Sequence, residues 1–303
     1  MNTINDYLVV KPRPLLSAEA IQLLLLREVL DYTVLRTEDS REINSVDTPL
    51  SIKDSKTVKR VAFLGSKQKA AESRELESLL RSACSAANFD AKECWLKDNL
   101  CLECPRCALF GATALSEAPN IRHRIEYSTA FSLLTFDLLT EEITFNAVDE
   151  KTQTTGQALG VRHVVRPASL FASIVTLRSV TRSELILAVK TLLSSKSYGG
   201  ETRIGGDCRN TVIGIVAGWE EIITPLELTL ELYERRTNID RAIIASFLER
   251  EYKPKAGTPA KVKVLSDSEI ESVISECANT NIDNAFLADA YKAVKEYRGQ
   301  QGG

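Results

Sequence analysis

Five of the seven cysteines fall between Cys84 and Cys107, and three of them punctuate the run "CLECPRCALFG" at positions 101, 104 and 107. Thiolates at C-x2-C spacing are metal ligands, because a two-residue gap lets both sulfurs point at one centre. A tetrahedral zinc needs four donors, and the expected set is Cys94, Cys101, Cys104 and Cys107, with Cys84 or His123 as alternatives for the position outside the run. The plain alternative is a core corner, in which "CALF" turns inward and Cys107 acts as a small hydrophobe. The spacing favours structural zinc, in a small lobe that ends at the core-facing Leu109–Phe110–Gly111. A zinc deaminase would pair P-C-x-x-C with H-x-E. Neither "HRI" nor "HVV" supplies that glutamate, so a stand-alone zinc-dependent enzyme is the weaker reading.

Two further stretches have residue types suited to phosphates. "GSKQKAAESR" gathers backbone N–H groups and lysines at the start of a helix, where anions are favoured. "YGGETRIGG" has glycines that let a backbone approach closely, with Arg203 and Arg209 as charge partners. The lysine and serine or threonine that close a P-loop are missing. The ordinary reading of this turn is a helix end with Gly199 as its C-cap. Asp47 in "SVDTPL" is a lone carboxylate in a polar loop, with no acidic cluster to hold two metals.

The elements that position these groups follow from patterning. The chain has 303 residues, 44% of them hydrophobic, enough for a substantial core. No apolar run approaches the ~20 residues of a bilayer span, and the start lacks a secretory layout. A cytoplasmic protein with free or metal-bound thiols is expected, with no membrane partner. The formal charge of −3 argues against indiscriminate nucleic-acid binding. Charge is unevenly spread, however: residues 56–74 carry six basic residues against Glu72, and residues 220–303 carry 15 acidic against 11 basic. One basic and one acidic face are therefore expected.

"IQLLLLREVLDYTVLRT" fits a buried helix or strand, and its β-branched end favours a strand from about Glu28 onward. Residues 38–56 read as a polar excursion. "VKRVAFLGS" reads as a strand, and Ser66 as the N-cap of the helix that follows. A long hairpin surrounds the polar tip "DEKTQTTGQALG", and "RSELILAVKTLLSSK" is an amphipathic helix introduced by Thr181. The last 83 residues read as helical. In order, the core is strand, helix, strand, strand, helix, strand, the order of a ferredoxin-like, RRM-type α+β sandwich.

Four segments carry a family resemblance. "FLGSKQKAAESR", "CPRCALFG", "NAVDEKTQTTGQALGVRHVVRPASLFASIVTL" and "SYGGETRIGGDCRNTVIGIV" occur in the order found in the repeat-associated, RRM-like proteins that form the backbone of CRISPR effector complexes. The chain most closely resembles the type I-D backbone subunit. The resemblance implies an α+β, ferredoxin-like (RRM-like) core in one domain over 1–303. Its additions are a Cys-rich, zinc-finger-like lobe at 80–120, a thumb β-hairpin at 138–166 and a helical C-terminal part at 221–303.

It also implies a subunit of a Cascade complex that binds guide RNA (crRNA), stacks on copies of itself, and supports pairing with target DNA and possibly target RNA. Partners would be a small backbone cap, a large subunit, small subunits and a helicase-nuclease. Guide-binding candidates are Arg60, Ser66, Lys67, Lys69, Arg74, Arg162, Arg166, Gly199, Gly200, Arg203, Gly205 and Gly206. Thumb wedge candidates are Val148 and Leu159. Paired stacking aromatics of the RRM signature are absent, so stacking of bases on the sheet is not expected. Related type III subunits cleave target RNA with an aspartate, and Asp47 falls at the similar place. The expected role is non-catalytic, with an RNA-guided ribonuclease using Asp47 as the alternative.

Overall fold

The computed structural model describes residues 2–36, 42–96, 98–113, 119–199 and 205–301. Its architecture is α+β, with one large antiparallel sheet carrying helices on both faces. The central strand β1 (Ala20–Val29) pairs along its whole length with β8 (Leu170–Arg178) on one side and β9 (Cys208–Gly218) on the other. A strand covered on both faces needs apolar residues at consecutive positions, so the period of two vanishes. For this reason the expectation of a strand from Glu28 onward is corrected. The strand ends at Val29, and Leu30 and Tyr32 beyond it are exposed.

Outward from β8 lie β5 (Ala130–Ser132), β3 (Thr57–Phe63) and the edge strand β2 (Ser45–Pro49). A short β4 (Ile125–Tyr127) also pairs with β8. Strand β2 corrects the reading of 38–56 as an excursion without an element. Its composition is polar and it ends in proline because it is an edge strand, where a missing N–H disrupts no inner ladder.

Helices α1 (Gly65–Ala86) and α4 (Arg182–Ser194) pack on one face with α7 (Asp267–Asn279) and α8 (Asn284–Gln301). The other face is covered by α5 (Pro225–Glu234) and α6 (Arg241–Phe247). Ile21, Leu23 and Leu25 of β1 enter the first core and Leu24 the second. A bulge in β9, opposite the Leu24–Leu25 step, leaves Ile213 unpaired. It shifts the alternation, so that Val212 and Ile215 face one core while Ile213 and Val216 face the other.

Ser66 is not the N-cap of α1. The helix starts two residues earlier than that reading, at Gly65, with Leu64 in the cap position and no side-chain cap. Gly65 is required there, since a Cβ would sit 2.3 Å from the Tyr127 carbonyl oxygen. Thr181 does cap α4, in a reciprocal box with Glu184.

After a single-turn helix α3 (Phe136–Leu139), the hairpin expected as a thumb forms a separate two-stranded ribbon, β6 (Thr140–Val148) and β7 (Thr155–Val165). Its turn is shorter than expected, because Thr155–Gly160 belong to β7. After α6 the chain passes through a π turn (Leu248–Tyr252), two 3-10 turns and a short strand β10 (Lys263–Val264) on β9. No described helix is long and apolar enough to cross a membrane.

Candidate metal centre and nucleic-acid face

The Cys-rich segment folds around α2 (Pro105–Phe110). Cys104 is its N-cap and Pro105 its first helical residue, which fixes the chain direction at the helix start. The Cys107 N–H donates to Cys104 Sγ at 3.4 Å and the Glu103 N–H to Cys101 Sγ at 3.4 Å. Both amides therefore favour thiolates at these positions. Cys94 arrives from a tight turn that Arg81 of α1 holds, through a 2.8 Å bond to the Cys94 carbonyl.

The Sγ atoms of Cys94, Cys101, Cys104 and Cys107 all lie within 4.8 Å of one another, with Cys94 and Cys107 3.6 Å apart. Four sulfurs at about 2.3 Å from a tetrahedral ion would stand roughly 3.8 Å apart, so this donor set could hold a metal. Four protein ligands leave no position for a water or substrate. Hydrogen bonding from Cys104, then from Cys107 and Cys94, drives Cys101 far below the ordinary thiol range, and Cys101 in turn raises Cys104. One cation in place of shared protons relieves this competition.

Neither alternative ligand belongs to the group. The Cys84 thiol faces the Tyr291 hydroxyl at 3.7 Å. His123 is exposed, its backbone lying against Gly111. Gly111 has φ +84°, and a Cβ there would meet the His123 nitrogen at 3.0 Å. Leu109 and Phe110 join the main core, so the lobe is anchored by the helix that carries two of its sulfurs.

The guide-binding candidates divide sharply. Arg60 is fully buried and leaves the set: its guanidinium donates to Thr48 Oγ1 and to the carbonyls of Ser132, Leu133 and Leu50. It is a clamp between β3, β2 and the turn after β5. Ser66 and Arg74 are exposed on α1, and Lys67 and Lys69 are half-buried. Lys67, Ala71 and Arg74 follow the helical repeat on one side of α1. Ala71 packs on the cluster containing Tyr198 and Cys208, which sets this side of the helix beside the glycine turn.

Gly199 is not a C-cap, since α4 ends at Ser194 with Ser195 as its cap. Instead the Gly199 N–H bonds the Gly205 carbonyl at 3.2 Å, and Gly206 has φ +62°. A Cβ on Gly206 would come within 2.5 Å of the Gly199 nitrogen. Gly199 and Gly205–Gly206 thus bring two stretches of backbone into direct contact, with no room for a side chain at Gly206. Gly200 and Arg203 lie outside the described residues, as does the side chain of Leu159. Arg166 is exposed and pairs with Glu141 at 2.9 Å, and Arg162 is half-buried on β7. Val148 is 62% exposed, beside the hairpin turn. Asp47 lies not in a loop but on β2, exposed and opposite Lys59.

Sequence reasoning missed the group beneath the glycine turn. Arg27 of β1 and Glu72 of α1 are both completely buried and pair at 2.7 Å. The same Arg27 nitrogen reaches Tyr198 Oη at 3.0 Å and Asn210 Oδ1 at 2.9 Å, while Tyr127 and Tyr198 donate to the Glu72 carboxylate. Burial, then the nearby Glu72 charge, holds both phenols above their ordinary range. The available signal was Arg27 itself, a cation inside an apolar run.

A family model described as Csc2 Crispr matches residues 8–291. Among solved structures, the crystal structure of Thermofilum pendens Csc2 is similar with a TM-score of 0.67 at 18% identity, over 100% of this chain and 97% of that one. A chain described as "CRISPR RNA-guided surveillance complex, pre-nicking" is similar with a TM-score of 0.51 at 13% identity, over 76% and 87%. At such identities the likeness is one of fold. None of the curated proteins matches the sequence.

Proposed function

The chain belongs to the Csc2 CRISPR family, and from that premise we propose that it is a guide-RNA-binding backbone subunit of a type I-D CRISPR effector complex. The observation that carries this reading is the meeting of the α1 side bearing Lys67 and Arg74 with the Gly199–Gly206 turn. A cationic helix side next to the close-packed backbone of Gly199 and Gly206 suits a sugar-phosphate chain, which offers charge but no sequence information. Sequence would then be read by pairing between guide and target, DNA or RNA, while the protein holds shape and backbone.

The thumb, with Val148 exposed beside its turn, would cross the paired strands. Copies of the chain would stack along the guide, together with the other Cascade subunits, in the cytoplasm. The sheet order β9-β1-β8-β5, with α1 and α4 on one face, supports the ferredoxin-like reading of the core.

The four cysteines would hold a structural zinc, which supplies a cross-link between the Cys94 turn and α2 and takes no part in turnover. The same proposal makes the subunit non-catalytic. Among the described residues, Asp47 belongs to no cluster of metal-ligating groups.

The test is recovery of nucleic acid with the purified protein. An absorbance ratio typical of bound RNA, and nuclease protection at regular intervals along a longer RNA, are expected. Nucleic-acid-free protein that leaves a single-stranded RNA unprotected would overturn the proposal.

A further inference from the structure

Helix α1 has a second basic side, turned away from the glycine turn. Lys69 lies two residues, about 200° around the helix, from Lys67. One turn beyond Lys69, the Ser73 hydroxyl accepts from Arg106 Nε of α2 at 2.9 Å. The Arg106 guanidinium also reaches the Gly111 carbonyl at 3.4 Å, and Gly111 lies against the backbone of His123. Arg122 and His123 are exposed there, and Arg106 is 3% exposed. Three elements thus bring Lys69, Arg106, Arg122 and His123 to one place.

Crowding of the Lys69, Arg106 and Arg122 charges costs stability unless an anion shares the space, while His123, held below its ordinary range by burial and then by the Lys69 charge, adds a neutral imidazole as a hydrogen-bonding group. The carboxylate that serves the patch is Glu126, and it is already engaged by Arg178 at 2.9 Å. Among the described residues no ion pair engages Lys69, Arg122 or His123. Burial, then the neighbouring Arg106 charge, holds Lys69 below its ordinary range. On the other side, Glu72 turns inward to Arg27 and the tyrosines and offers this patch nothing.

We propose that Lys69, Arg122 and His123 form a second phosphate-binding surface beside the metal lobe, which takes the backbone of a single-stranded nucleic acid separately from the glycine-turn side of α1. This rests on the reading of the chain as a nucleic-acid-binding subunit and adds a place to it. The three side chains come from two segments and surround a buried arginine whose own bonds fix it. They would therefore give charge and a hydrogen-bonding group at fixed positions, which positions a strand without reading it.

The experiment measures binding of a fluorescent single-stranded RNA, and of DNA of the same sequence, across a salt series. Four proteins are compared: wild type, R122E/H123E, K67E/R74E, and the two pairs combined. Each phosphate contact contributes about −0.7 to the slope of log affinity against log salt for single strands. The R122E/H123E protein is expected to lose one to two contacts' worth of slope and to bind at least about tenfold more weakly at low salt. Its metal content and thermal midpoint should match wild type. Combining both pairs should give additive losses, because the two sides are apart.

Loss of slope in K67E/R74E alone would overturn the second surface and leave the proposed function standing. Wild type that binds neither strand would overturn both. Should R122E/H123E lose metal or fold, R122Q/H123Q decides: a slope equal to wild type overturns the proposal, and a reduced one supports it.

Discussion

The metal lobe and the charged group under the glycine turn solve the same problem, fixing a backbone where function needs it, from opposite starting points. The lobe draws its four sulfurs from fourteen consecutive positions, Cys94 to Cys107. The Arg27 group joins residues from β1, α1, β4, the turn after α4, and β9. The first could hold an ion, and would then be a local staple whose energy comes from it. The second is a long-range knot whose parts are worth something only when the whole sheet has formed, since an isolated buried charge is costly.

Removing the ion should separate them most strongly. A chelator would withdraw on the order of 10 kcal/mol of binding free energy from the lobe, and C104S, which leaves three thiolates, part of it. Amides of 94–111 should then lose hydrogen-exchange protection while those of β1 and β9 keep theirs. Simultaneous loss in both would show that the lobe is no independent staple.

Glu72→Leu attacks the other member of the comparison. It leaves Arg27 buried without its carboxylate, and stability should fall by about 3–5 kcal/mol in urea unfolding. Metal content per folded chain should stay at the wild-type value. A loss under about 1 kcal/mol would mean that the Tyr198 and Asn210 bonds suffice.

A smaller effect lies outside both regions and calibrates them. The Thr258 hydroxyl and the Gly257 amide hold the Glu220 carboxyl below its ordinary range. A carboxyl depressed in the folded state contributes stability above its unfolded pKa, and the contribution fades as pH falls through the folded one. Unfolding from neutral pH to pH 4 and below should show this loss, and Glu220→Gln should remove that part of the acid dependence. An unchanged acid limb in Glu220→Gln would sink the assignment.

The same division explains what could be read before folding. The cysteines were legible because their spacing along the chain is nearly their spacing in space. So were the Thr181–Glu184 cap and the hairpin, whose partners are local. Arg60 was misread as a surface cation because its acceptors, the carbonyls of Ser132 and Leu133, are more than seventy residues away. Helix α1 reads as one basic stretch in sequence, yet its lysines diverge to two sides because neighbours at i+2 point apart. β2 was illegible for a related reason: an edge strand has one ladder and one buried face to satisfy, and its composition relaxes toward that of a loop.

The thumb is built as a cantilever. Its root is clamped where Thr33 and Val165 exchange two backbone hydrogen bonds and the Arg166 N–H meets the Leu139 carbonyl. Beyond that clamp, among the described residues, the strands of the ribbon pair only with each other, and a two-stranded ribbon is marginal in water. A beam of this kind deflects most at its free end and transmits load to its clamp. Val148 stands near the free end and Thr33 at the clamp, its methyl 3.1 Å from where a Gly206 Cβ would stand. The fulcrum of the hairpin and the Gly206 backbone therefore share one neighbour, the Thr33 side chain.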